Sequence, residues 1–107
     1  MINEIDSESL HDRLDRGDDL MLVDIRTPGE VAQGKIPGSI ELPMHLIPLR
    51  LSELPKDKDV VLYCRSGARS YQACAYLIQQ GHGRVLNLRG GIIAWARHGY
   101  QIDWPGA

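Results

Sequence analysis

The sequence predicts an α/β fold: a mainly parallel sheet with helices on both faces. Two observations predict it. Short runs that are apolar on both faces, Leu20-Met21-Leu22-Val23-Asp24, Val60-Val61-Leu62-Tyr63 and Arg84-Val85-Leu86-Asn87-Leu88, read as buried strands. Helical patterns separate them, and strand–helix alternation is the signature of parallel pairing through crossovers. At 107 residues, 43% of them apolar and 24% charged, the chain is expected to form one domain, residues 1–107, around a single core.

Ser7 is positioned to cap a helix running to about Arg16, with Glu8 in its first turn, Leu10 and Leu14 on one face and Gly17 ending it. After the strand 20–24, Thr27 and Pro28 suit the cap and first position of a short helix to about Gln33. Gly34-Lys35-Ile36-Pro37-Gly38 is turn chemistry, and 39–42 reads as a short strand. Residues 43–54 suggest one or two short helices interrupted near Pro48, followed by an exposed loop at 55–59. Beyond the strand 60–63, Tyr71, Cys74, Ala75 and Ile78 form an i, i+3, i+4, i+7 stripe on a helix from Ser70 to Gln80, stopped by Gly81 and Gly83. After the strand 84–88, Gly90-Gly91 makes a tight turn and a last helix, Ile92 to Arg97, closes at Gly99.

In parallel sheets ligands bind beyond the carboxyl ends of the strands. Asp24, Cys64 and the turn after Leu88 fall at that edge. Cys64 is the most informative of them. It stands where a strand ends, and the loop Arg65-Ser66-Gly67-Ala68-Arg69 leads directly into a helix. Loop amides and the helix N-terminus direct positive potential at one point, and two arginines add full charges. A cysteine there is expected to be a thiolate near neutral pH, and the thiolate is the nucleophile.

Four segments occur in order: Asp24-Ile25-Arg26, Gly34-Lys35-Ile36-Pro37-Gly38-Ser39, Cys64-Arg65-Ser66-Gly67-Ala68-Arg69-Ser70, and Asn87-Leu88-Arg89-Gly90-Gly91-Ile92 with Trp95. Together they resemble a single-domain rhodanese, a thiosulfate sulfurtransferase, over nearly the whole chain. The resemblance implies a sheet of about five strands flanked by helices. It implies that Cys64 takes a sulfane sulfur from thiosulfate or another persulfide donor. The resulting persulfide passes that sulfur to cyanide, a small thiol or a thioredoxin-like acceptor. Arg65, Ser66, Gly67, Ala68 and Arg69 match the six-residue loop that Cys64 begins. No cofactor and no metal are implied. Lys35 stands where the family commonly has histidine, and Val31 where it often has an aromatic residue. The spacing from Cys64 to Arg69 is Cys-x4-Arg, one residue shorter than the Cys-x5-Arg that resembles cysteine phosphatases, and this favours sulfur over phosphate or arsenate. A non-catalytic rhodanese-like binding module is the reading from another class, and the presence of Cys64 argues against it.

The remaining candidates carry two readings each. Asp24 and Arg26 either frame the pocket rim, or cap local amides and pair with an acid. Arg65 is solvated or contacts substrate. Arg69 orients a dianionic donor, or bonds the loop's carbonyls or a nearby carboxylate. Cys74, on the apolar stripe, reads as core; Asn87, Gly90 and Gly91 read as turn formers and Trp95 as a core anchor. The four histidines are scattered, with no spacing for a metal or general base, and the two cysteines make no disulfide framework. A net charge of −2 without charge blocks argues against nucleic acid as a partner. No apolar run reaches membrane-spanning length and the first twenty residues lack a signal peptide's pattern, so a cytoplasmic location is expected.

Overall fold

The computed structural model describes residues 2–104; Met1 and residues 105–107, the ends of the expected 1–107 unit, lie outside the described residues. The elements run β1 (Asn3–Ile5), α1 (Ser7–Asp15), β2 (Leu20–Asp24), α2 (Pro28–Val31), β3 (Ile40–Glu41), 3-10 turns over Met44–Leu49 and Leu51–Glu53, β4 (Asp59–Tyr63), α3 (Ala68–Gln79), β5 (Val85–Leu88) and α4 (Gly91–Arg97). The five strands form one sheet in the order β1-β5-β4-β2-β3, and every pairing is parallel.

β4 lies at the centre because it is apolar on both faces. Val60, Val61, Leu62 and Tyr63 are all fully buried, and each of the three aliphatic side chains stabilises the fold by about 1.5–3 kcal/mol on a transfer scale. Alternation splits them between two cores. Val60, Leu62 and Cys64 pack with Ala73, Cys74 and Leu77 of α3 and with Ile47 and Leu54 of the 3-10 region. Val61 and Tyr63 pack with Leu10 of α1 and Trp95 of α4. Helices therefore cover both faces, as expected.

Three local expectations are corrected. β1 was absent from the sequence reading; it is three residues long, two of them exposed, and exists by pairing with β5 from Asn3 opposite Leu86 to Ile5 opposite Leu88. The cap of α1 is Asp6, whose carboxylate accepts from the Ser9 amide at 2.8 Å, while Ser7 is its buried first residue. On α3 the buried stripe is Ser70, Ala73, Cys74 and Leu77, with Tyr71 and Ile78 exposed. The helix begins two residues earlier than predicted, and Ser70 turns inward toward polar partners, which sets the phase of the face.

Candidate functional site

Cys64 directly follows β4 and continues its alternation, so its side chain packs on the α3 face of the sheet at the strand's carboxyl end. Cys64 is 1% exposed, and its Sγ accepts from the Gly67 amide at 3.1 Å and lies 3.4 Å from the Ser70 hydroxyl. The amides face inward because the carbonyls are held outward. The first amides of α4 take them: Ile92 N–H donates to the Cys64 carbonyl at 3.0 Å and Ile93 N–H to that of Arg65 at 3.2 Å. Two glycines make this possible. Gly67 caps α3 at φ +101°, and a Cβ there would sit 3.3 Å from the Leu88 carbonyl oxygen. At Gly91, φ +58°, a Cβ would strike the Arg65 carbonyl oxygen itself and come within 2.6 Å of that of Cys64.

Burial pushes the Cys64 thiol up, because it disfavours the charged form. The Ser70 hydroxyl and the amides of Ser70, Gly67 and Ser66 oppose it by donating to the sulfur, and the net result lies below the ordinary thiol value. Fixed donors thus converge on the Cys64 sulfur in a buried place and favour its ionised form.

Behind the loop lies a polar chain that the sequence reading missed. Asn87 of β5 is 1% exposed, and its Oδ1 accepts from the Ser70 hydroxyl. Its Nδ2 donates to the Gly67 carbonyl at 3.1 Å and to Glu4 Oε2 on β1 at 2.9 Å. Asn87 is therefore a strut that fixes both Gly67 and Ser70. The signal was present: a buried asparagine between two leucines of a strand needs partners on both ends of its amide. Glu4 had no such signal, since its place depends on the unforeseen β1.

The charged candidates separate into three situations. Arg65 is exposed, and its guanidinium has no hydrogen bond or ion pair among the described residues. Arg69 is committed: its Nη1 and Nη2 each donate to a Glu30 carboxylate oxygen at 2.8 Å. Of its two sequence readings, the carboxylate partner is the one the geometry displays. This bidentate pair holds the Glu30 carboxyl down at about 2. Glu30 also accepts from the Thr27 amide, closing a capping box on α2, so the α2 start is tied to the cysteine loop.

Asp24 and Arg26 do not form an open rim. Asp24 is fully buried and Arg26 is 5% exposed; Arg26 Nη2 donates to Asp24 Oδ2 at 2.7 Å and to the Gly34 carbonyl at 2.7 Å, and the Arg26 amide donates to Asp24 Oδ1. A carboxylate this deep requires a charged partner, and the adjacent arginine supplies it. Their charge is spent internally, bracing the β2 end against the 34–39 turn. Tyr63 supports the same turn, its hydroxyl accepting from the Ile36 amide at 3.0 Å with Ser39 Oγ at 3.0 Å. Lys35 donates to the Ser39 carbonyl there, and Val31 is buried; neither reaches the cysteine loop. Ser66 and Ala68 are exposed at the loop's outer edge. Among the described residues no group of three or more His, Cys, Asp or Glu is placed to hold a metal, and no helix is long and apolar enough to cross a membrane.

Fold and loop together define a parallel α/β protein that seats a buried cysteine in a strand-to-helix loop whose donors converge on its sulfur. The chain belongs to the rhodanese-like family: residues 6–98 match the family described as "Rhodanese-like domain". It is 74% identical over 105 residues to a "Sulfurtransferase" of Allochromatium vinosum, covering 98% of both chains. It is 39% identical over 83 residues to "Thiosulfate sulfurtransferase GlpE" of Stutzerimonas stutzeri, 78% of this chain and 75% of that one. Among solved structures, the rhodanese-like domain of Anabaena protein Alr3790 superposes with a TM-score of 0.86 at 28% identity, covering 96% of this chain and 80% of that one.

Proposed function

We propose that this protein is a sulfurtransferase working by double displacement on Cys64. The observation that carries the reading is the Cys64 sulfur itself, buried at the centre of a loop whose amides and Ser70 hydroxyl converge on it. The family membership and the named relatives support it. In the first half-reaction the thiolate attacks the outer sulfur of a donor, thiosulfate or a persulfide. The donor's S–S bond breaks, its electron pair leaves as sulfite or a thiolate, and Cys64 holds a persulfide. In the second, cyanide, a small thiol or a thioredoxin-like dithiol attacks the outer sulfur and regenerates the Cys64 thiolate. The preformed donors stabilise anionic sulfur in both states without reorganising. Gly67, Ser66, Ala68 and the flanking arginines form the loop around the site, and no step calls for a cofactor. A cytoplasmic setting is consistent with two free thiols.

Mass spectrometry after treatment with thiosulfate or cysteine persulfide tests the reading. The expected result is one added sulfur on Cys64, removed by cyanide. Equal loading of a Cys64→Ser variant, or no loading by any donor, overturns it.

A further inference from the structure

The two arginines of the loop are not equivalent, and the difference bears on which donor the site accepts. Arg69 is held by Glu30 through two 2.8 Å hydrogen bonds, so a full negative charge stands against the guanidinium that would otherwise face an anion. Nor does the surrounding structure restore that charge. Arg26 is cancelled by Asp24, and Arg89 faces Glu4 at 3.6 Å. Arg65 is the one loop guanidinium without an ion-pair partner among the described residues.

The two donor classes make different demands on that charge. Attack of the Cys64 thiolate on thiosulfate brings one negative charge against two, and the products are the Cys64 persulfide anion and the sulfite dianion. Three negative charges are carried through the transition state. Attack on a thiol-borne persulfide, RS–SH, breaks the same kind of S–S bond, places the sulfur and its proton on Cys64, and releases RS⁻. One negative charge is carried through. Loop amides serve both reactions, since they address the cysteine sulfur. Extra anionic charge must be met by guanidinium groups at the mouth, and here one of the two is already neutralised.

We infer that Glu30 is a specificity residue that, by occupying Arg69, biases the site toward thiol-borne persulfides and against the thiosulfate dianion as sulfur donor. The inference rests on the sulfurtransferase reading. Glu30 touches neither the sulfur nor the loop amides; it is a positioning residue that acts through Arg69. The arrangement also makes Arg65 the residue on which any thiosulfate loading depends. Its side chain is solvent-exposed, so its replacement leaves the fold intact.

The test compares rates of Cys64 persulfide formation from thiosulfate and from cysteine persulfide, at low ionic strength, in the wild type, Glu30→Gln and Arg65→Gln. Glutamine keeps an oxygen for the Thr27 amide and Arg69 while removing the charge. With one charge's worth of attraction restored near the surface, Glu30→Gln is expected to raise the thiosulfate-to-persulfide rate ratio by about fivefold or more. Arg65→Gln is expected to lower it by about tenfold. Added salt should shrink both changes. A wild-type protein that loads from neither donor overturns the sulfurtransferase reading and this inference with it. Loading with a ratio unchanged in either variant overturns the inference alone. If Glu30→Gln does not fold, as judged by circular dichroism, the Arg65→Gln ratio decides.

Discussion

Cys64 and Cys74 lie ten residues apart, in the same apolar cluster, and both are essentially inaccessible, at 1% and 0% exposure. Burial raises both thiols. Cys74 has nothing to set against it: burial first, and the charge of Glu4 second, push its thiol up to about 12. Cys64 has the Ser70 hydroxyl and the amides of Ser70, Gly67 and Ser66, and ends below its ordinary value. The difference between a thiol pushed up and a thiol held down is therefore the number of N–H and O–H groups aimed at the sulfur. Those groups exist only because the chain leaves regular structure between β4 and α3.

The largest effect follows directly. Replacing Cys64 by serine should abolish persulfide formation, while Cys74→Ala should keep the loading rate within about twofold, because Cys74 contributes packing alone. Iodoacetamide mapping of the folded protein gives the same contrast without mutation. A thiol near 12 is ionised to about one part in 10⁵ at pH 7, so Cys64 should be labelled at least about a thousandfold faster. Comparable labelling of Cys74 in the native state would break the comparison.

Two substitutions sharpen it by removing donors while leaving the sulfur. Gly67→Ala places a side chain in the left-handed region and against the Leu88 carbonyl, so the loop must shift and the 3.1 Å amide contact is lost. It should cost about 1–3 kcal/mol of stability and slow persulfide loading about tenfold or more, read by thermal melts and by mass. Ser70→Ala removes the hydroxyl and leaves Asn87 Oδ1 buried without its partner. It should raise the apparent pKa of Cys64, seen as a shift in the pH profile of alkylation, and cost about 1–2 kcal/mol of stability. Serine has a single proton and two acceptors here, Asn87 and the sulfur. A melting change with no movement of the pH profile would show that the proton serves Asn87 alone.

The same contrast explains what could be read from the sequence. The buried strands, the Cys64 loop and the order of the helices were legible because each is written in local pattern: apolar runs, a glycine at the loop's bend, a proline at a helix start. Cys74 was legible as core from its place on an apolar helix. The phase of that helix was not, since it is set by Ser70 turning toward Asn87, a contact between residues seventeen apart. Glu30 and Glu4 escaped notice for the same reason. Each gains its role from a partner that only the sheet brings near: Arg69, thirty-nine residues from Glu30, and Asn87, eighty-three from Glu4. Asp24 and Arg26 were correctly located at the sheet edge, but pairing within one turn of chain turned them inward, where sequence order alone left both directions open.

A third buried ionisable group extends the comparison to stability. His82 is 3% exposed and its Nδ1 has no hydrogen-bond partner among the described residues. Burial, and next the charge of Lys56, hold its pKa below the usual histidine value, against a smaller upward pull from the Pro55 carbonyl. The unfolded chain then binds the proton more readily than the folded one, so stability is full above the ordinary histidine value of 6.5 and falls as the pH drops below it. Glu30 acts in a separate, more acidic window. Its carboxyl is held at about 2 by Arg69, so the stability from that pair is present above 4.5 and is lost as the pH falls toward 2. The pair is about one-third exposed and solvent screens it, so its share of the acid loss is small. Melting temperature against pH should show a first decline of about 2–4 °C beginning below pH 6.5, reduced in His82→Gln, and a second below 4.5, reduced in Glu30→Gln. A first decline that persists in full in His82→Gln would mean that the unpartnered nitrogen carries no cost, and that among the buried ionisable groups only the cysteines follow the donor rule.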